Sequence, residues 1–172
     1  MTLNSPYELK RRGWIGRAYD LSRAGTHTGE LRRRAVFRPR YEFDCGPHKW
    51  VARHLDNVKR PSELIDRDSK APVALVHTNG VLEVMVPAWR PHVHLTWGST
   101  GHERAFVDPQ GQGWITFGTQ DVIKKVRIEA HGPATVWPAD DPETGFLVTV
   151  AFGLAMIISQ IDEATQAAGS NY

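Results

Sequence analysis

Cysteine is almost missing from this chain: Cys45 is the only one among 172 residues. No internal disulfide can form, and zinc or redox chemistry that needs paired thiols is excluded. With Gly46 and Pro47 beside it and no sequence partner that would mark a nucleophile, Cys45 reads as a plain thiol. Also missing are a G-x-S-x-G elbow, a P-loop and a dinucleotide fingerprint after a strand. No catalytic residue or cofactor is therefore expected, and the chain reads as a non-enzyme. The opening "MTLNSPYELKRRGW" has no apolar run of the kind a secretory signal needs. A single thiol and no leader make cytoplasmic residence the expectation.

What is present is globular in composition, 41% apolar and 23% charged, which sets aside disorder and collagen-like repeats. The length suits a single domain over 1–172. The net charge of +2 hides an asymmetry: residues 1–60 carry 14 Lys and Arg against 6 Asp and Glu, the remainder 7 against 13. Either the first part has a basic face for an anionic partner, or the two parts neutralise each other in the fold.

The most apolar stretch is "GFLVTVAFGLAMIISQI", residues 145–161. From Phe146 to Ile161 only Thr149, Ser159 and Gln160 are polar, yet these 16 residues fall short of the roughly 20 that cross a bilayer. The flanks, "ADDPET" and "DEATQAAG", lack the basic or aromatic residues of a membrane border. Asp141 can cap a helix with Pro142 at its first position, Asp140 and Glu143 have capping-box spacing, and Gly169 can stop it. The spacing predicts a helix over about 142–168, apolar on every face and so surrounded, with Phe146, Val150, Phe152, Leu154, Ile157 and Ile158 in the core. Its apolar centre is as long as a strand of about seven residues, the right length to thread a small barrel. A tail anchor and an oligomerising or partner-bound helix are the other readings.

Upstream, over 5–138, about twelve short strands alternate with turn residues: "PYELKR", "RAYDLS", "GELRRR", "RYEFDC", "KWVARHL", "PVALVHT", "VLEVMVP", "HVHLTWG", "RAFVDP", "GWITFG", "KVRIEA" and "ATVWP". "TNG" at 78–80 and "DPQGQG" at 108–113 are turn signals. Residues 56–70, "DNVKRPSELIDRDSK", read as a loop with one helical turn. A shift of about 86 residues lays Tyr7 and Leu9 on Val93 and Leu95, Tyr19 near Phe106, Gly25 near Gly111, and Tyr41 and Phe43 near Val126 and Ile128. Two similar parts could close into one antiparallel barrel round the final helix and cover both the sheet edges and every helix face.

The strand with an aromatic-Trp turn "YELKRRGWIGRAY", the "GEL" before a basic strand, "FVDPQGQGWITF" and the closing apolar helix resemble the tubby C-terminal-like superfamily, which includes LURP-one-related proteins and phospholipid scramblases. The resemblance is one of pattern and covers nearly the whole chain. It implies a mainly β fold, a twelve-stranded antiparallel barrel of two pseudo-equivalent halves enclosing a C-terminal hydrophobic helix. Members include phosphoinositide-binding regulators and lipid-translocating proteins, so shared fold says little about activity. No counterpart of the tubby phosphoinositide pocket or of the scramblase calcium segment is found here.

Two motifs could carry chemistry. His92 and His94 sit at i and i+2 of one strand and could share a metal, with His102 or Glu103 as a third ligand, which would make the chain a small metal-dependent enzyme, the alternative to a non-enzyme. The cupin acid that would follow is absent, since Gly98 and Ser99 stand there, and an exposed pair is the alternative. The six tryptophans, Trp14, Trp50, Trp89, Trp97, Trp114 and Trp137, are spread evenly, as packing residues would be. The second motif is the arginines. With Leu31 inward, Arg32 and Arg34 point outward, and Arg38 and Arg40 again share one side, so four guanidinium groups, near Lys10, Arg11 and Arg12, could lie on one face. Arginine suits bidentate contact with phosphate or carboxylate. The face is either simply solvated or meets an anionic lipid surface, an acidic protein or, least favoured, nucleic acid. Membership of a larger assembly and oligomeric state stay open.

Overall fold

The computed structural model describes residues 6–13, 18–34, 40–55, 60–86, 94–97, 103–120, 125–131 and 140–169, with backbone alone for 94–97, 120 and 161–169. Short stretches that alternate apolar and polar residues become strands because each places one side chain in two on a face that can be buried. In chain order they are β1 (Tyr7–Arg11), β2 (Ala18–Arg23), β3 (Thr26–Arg34), β4 (Arg40–Cys45), β5 (His48–Arg53) and β6 (Ser62–Asp66). There follow β7 (Pro72–Val76), β8 (Leu82–Val84), β9 (His94–Trp97), β10 (Glu103–Val107), β11 (Gly113–Gln120) and β12 (Lys125–Ala130). All belong to one antiparallel sheet of twelve strands in the order β8-β7-β6-β5-β4-β3-β2-β1-β12-β11-β10-β9. Sequential hairpins build each arm, and the pairing of β1 with β12 joins them, Tyr7 opposite Ile128 and Leu9 opposite Val126. β8 and β9 stand at the two ends of this order, and among the described residues no pairing closes the sheet.

Eleven of the expected strands match these elements, and "ATVWP" at 134–138 lies outside the described residues. The expectation for 56–70 needs correction. Within the charged stretch, "SELID" is strand β6, paired with β5 through Trp50 opposite Asp66 and with β7 through Leu64 opposite Ala74. Ser62 and Leu64 face inward and are fully buried, and the Ser62 hydroxyl is satisfied by donating to the His54 carbonyl at 2.9 Å. A serine in an apolar position and a strand of five residues hid the alternation.

The turns use the residues that the sequence marks. Gly25, between β2 and β3, and Gly111, between β10 and β11, have φ of 79° and 80°, a region where a Cβ is strained. Asp108 Oδ1 accepts from the backbone N–H of Gln110 and Gln112, and Asn79 Oδ1 from that of Val81. The 86-residue shift accordingly carries one glycine turn onto another. It also lays inward Tyr19 of β2 over inward Phe106 of β10, and Tyr41 and Phe43 of β4 over Val126 and Ile128 of β12, all buried.

One helix, α1 (Pro142–Gly169), follows. Asp141 caps it, its Oδ1 accepting from Thr144 N–H at 3.0 Å and its carbonyl from Gly145 N–H. Pro142 occupies the first position, where a missing N–H costs nothing. The cap is therefore Asp141 with Thr144, and the capping box expected from Asp140 and Glu143 does not form, because Glu143 falls at the second position.

From Phe146 to Ser159 every residue that has a side chain is buried, and Phe146, Val150, Phe152, Leu154, Ile157 and Ile158 are at most 1% exposed. The inner face of the sheet supplies the cover: Leu9, Leu21, Leu31, Phe43, Leu64, Val76, Phe106, Ile115, Phe117, Val126 and Ile128 belong to the same cluster. Tyr7 packs its ring 5.3 Å from that of Phe146, and Gly153 lets α1 approach Phe106 and Phe117 closely. Each large apolar side chain so buried contributes about 1.5–3 kcal/mol relative to water. The helix is long and apolar enough to cross a membrane, but 89% of its apolar window is buried inside the protein, which leaves little of that surface for lipid.

Candidate interaction site

The outer face of β1 to β6 is charged in rows, because antiparallel register sets outward residues of successive strands side by side. The first row runs Lys10, Asp20, Glu30, Asp44, Lys49 across β1 to β5. Its three carboxylates draw guanidinium groups from neighbouring rows. Arg12 bonds Asp20 and reaches Glu30 at 3.3 Å, Arg32 lies 2.5 Å from Glu30, and Arg67 meets Asp44 at 3.1 Å. The Arg12 guanidinium hydrogen-bonded to Asp20 holds that carboxyl below the ordinary aspartate value. The second row is Ala18, Arg32, Glu42, Val51 and Ile65.

The third row holds the arginines. Arg34 of β3 is directly opposite Arg40 of β4. The β4–β5 register, which sets Tyr41 opposite Ala52, brings Arg53 next to Arg40 when continued by one residue. Arg53 in turn faces Glu63 of β6. Arg34 Nε donates to Glu42 at 3.0 Å and Arg53 Nε to Glu63 at 2.6 Å. Arg40, between them, is exposed and makes no ion pair among the described residues. Directly opposed like charges are unfavourable in a sheet, so a row of three arginines with an unengaged centre is the chemically distinctive feature of this face.

Of the four arginines expected together, Arg32, Arg34 and Arg40 do share the outer face, and Arg38 lies outside the described residues. Arg32 is drawn one row away to Glu30. Arg53 takes the place beside Arg40, and the strand reading missed it although the alternation of "WVAR", Trp50 and Ala52 in, Val51 and Arg53 out, carries that signal. Not every arginine of the basic run is outward. Arg33 follows Leu31 onto the inner face opposite Tyr41, and Arg11 does the same after Leu9.

His92 lies outside the described residues, and of His94 only the backbone is described, opposite Val107 at the start of β9. Glu103 is at the other end of β10 from Val107, the residue paired with His94, four positions and so about 13 Å away along the strand. Cys45 is buried, donates to the Thr28 carbonyl at 3.3 Å, and has its thiol pKa pushed up by burial. That is the opposite of an activated nucleophile. Trp50 is buried and Trp114 partly buried against the core. Trp14, Trp89 and Trp137 lie outside the described residues, and the Trp97 side chain is not described.

No protein-family model matches the chain, and comparison with curated proteins and with solved structures likewise gives no match.

Proposed function

We propose that this chain is a non-enzymatic binding module of tubby-like fold that docks on an acidic protein segment through Arg34, Arg40 and Arg53. The fold part of the reading draws on the twelve strands, the matching glycine turns of β2–β3 and β10–β11, and a terminal helix buried on all faces. In the full reading the edges β8 and β9 meet, two pseudo-equivalent halves close as a barrel, and the protein resides in the cytoplasm.

The observation that carries the docking site is the arginine row with Arg40 exposed and unpaired among the described residues. Strands are spaced about 4.8 Å apart, so three guanidinium groups extend over about 10 Å. That width suits two or three carboxylates of one peptide segment, held by bidentate forks. Glu42 lies in the adjacent row and Asp20, Glu30 and Asp44 one row beyond, and their charge opposes an extended anionic plane. An acidic protein is therefore favoured over a lipid surface.

The test compares the unmodified chain with an Arg34→Gln, Arg40→Gln, Arg53→Gln variant, by titration with a glutamate-rich peptide and with vesicles containing phosphatidylserine. The peptide should bind the unmodified chain, weaken steeply from low to physiological salt as screening shortens to about 8 Å, and be lost in the variant, whose melt should stay intact. Equal peptide binding by both, or vesicle binding in preference to peptide, would overturn the reading.

A further inference from the structure

A cavity of about 370 Å³ opens where the start of α1 meets β5 and the β6–β7 turn. This volume lies at the small end of the range for ligand sites. Its floor is aromatic: the His48 ring stacks on Trp50 with centroids 4.8 Å apart and planes 29° from parallel. Pro72 and Val86 form an apolar wall, and Val86, 56% exposed, is the one large hydrophobic side chain left in solvent among the described residues. Two carboxylates, Asp66 and Asp141, complete the lining, and among the described residues no Lys or Arg does. Lys70, in the neighbouring turn, is turned back to the Arg67 carbonyl, and Arg67 is engaged by Asp44.

Both carboxylates accept hydrogen bonds from their own turn or cap. Asp66 Oδ1 accepts from Ser69 N–H at 2.7 Å, Ser69 Oγ at 2.8 Å and Asp68 N–H at 3.1 Å. Asp141 Oδ1 accepts from Thr144 N–H at 3.0 Å. Asp66 Oδ2 has no hydrogen-bond partner among the described residues, and among them the Asp141 carboxyl is bonded only by Thr144, through its N–H and its hydroxyl. Donation to a carboxylate favours its charged form, so the Thr144 hydroxyl and N–H hold Asp141, and the Ser69 N–H and hydroxyl hold Asp66, below the ordinary aspartate value.

The start of a helix ordinarily attracts anions, but here all but one of its first donors are used or missing. Pro142 has no N–H, Thr144 N–H goes to Asp141 Oδ1 and Gly145 N–H to the Asp141 carbonyl. The side chain of Asp141 further offsets the positive helix end. Negative charge, an aromatic floor and an apolar wall in a small cavity are complementary to a cation with an apolar body.

We infer that this cavity is a binding site for a small organic ammonium ion carrying an aromatic or aliphatic group. The ammonium lies between Asp66 and Asp141, and the apolar group rests on the His48–Trp50 stack beside Val86. The site is separate from the arginine row and opposite to it in ligand charge.

The inference is tested by calorimetry and ligand-observed NMR with phenethylamine, 2-phenylethanol and phenylacetate, which share a ring and differ in charge. The amine should bind, the alcohol about tenfold more weakly, and the carboxylate not at all, since one charge-assisted hydrogen bond at a partly exposed site is worth about a factor of ten. Asp66→Asn and Asp141→Asn keep an oxygen for the turn and the cap. Each should weaken the amine about tenfold and leave the alcohol unchanged, while the melting temperature confirms folding. No amine binding at millimolar concentration, equal binding of the three compounds, or unchanged amine binding in both folded variants overturns the inference. The three compounds decide the question on the unmodified chain even if a variant misfolds.

Discussion

Replacing Gly153 by alanine sets two known effects against each other at one position. In a solvent-exposed helix the change would stabilise by about 1 kcal/mol, because glycine loses more backbone freedom on ordering. Gly153, however, sits where α1 crosses the inner face of β10 and β11. A Cβ there would lie 2.9 Å from Phe117 Cε2 and 3.1 Å from Phe106 Cε2, and closer still to Phe117 Cζ. The two rings pack edge to face with centroids 6.3 Å apart, and both are fully buried. Neither can move without displacing other core side chains, so relief must come from a shift of α1 itself. Overpacking of this kind costs about 1–3 kcal/mol, which exceeds the helix gain over most of that range. We expect Gly153→Ala to be destabilising by up to about 2 kcal/mol, a fall of roughly 2–8 °C in melting temperature for a chain of this size. Phe117→Leu removes the ring edge, and in that background Gly153→Ala should be neutral or stabilising, a coupling that a double-mutant cycle reads directly. Calorimetric melts of the four proteins are the assay. A higher melting temperature for Gly153→Ala alone would show that α1 does not lie against Phe106 and Phe117 as described.

Phe152→Asp should leave a carboxylate with neither water nor partner in the core, at a cost of several kcal/mol. The variant should be insoluble or show no cooperative melt, and a soluble, cooperatively folding one would contradict an enclosed α1. Asp141→Ala removes the helix cap and should lower stability at neutral pH by about 1 kcal/mol, read from denaturant midpoints. The folded Asp141 pKa is depressed, so its contribution is present above the ordinary aspartate value of 3.8 and is lost as pH falls below it. The stability gap between Asp141→Ala and the unmodified chain should therefore close on acidification, and a gap constant down to about pH 2 would refute the cap's role. The Cys45 thiol, buried and raised in pKa, should react with an aromatic disulfide only as fast as the protein opens; labelling at the rate of a free thiol would place it at the surface.

Strand pattern was legible wherever alternation involved obvious apolar residues, as in "YELKR", "RYEFDC" and "KVRIEA", and the start of α1 was legible because Asp141 and Pro142 act locally. Strand β6 was not, because Ser62 is buried only by virtue of a carbonyl that the end of β5 delivers. The arginine row shows the same division. That Arg32, Arg34 and Arg40 point outward follows from alternation within one strand. That Arg53 rather than Arg32 stands beside Arg40 depends on register between strands and on Glu30 drawing Arg32 away.

What acts between residues close in the chain was readable from it: every strand but β6 among those described, the glycine turns, the helix and its cap, and a helix so apolar that it must be covered. Features that require two distant segments to meet emerge only in the folded chain. The pairing of β1 with β12, the fit of Gly153 against Phe106 and Phe117, and the joining of His48, Asp66 and Asp141 around one cavity are of this kind. The physical reason is range, since alternation and capping act between neighbours in the chain, whereas register and packing are chosen among many nonlocal pairings by the burial they achieve together.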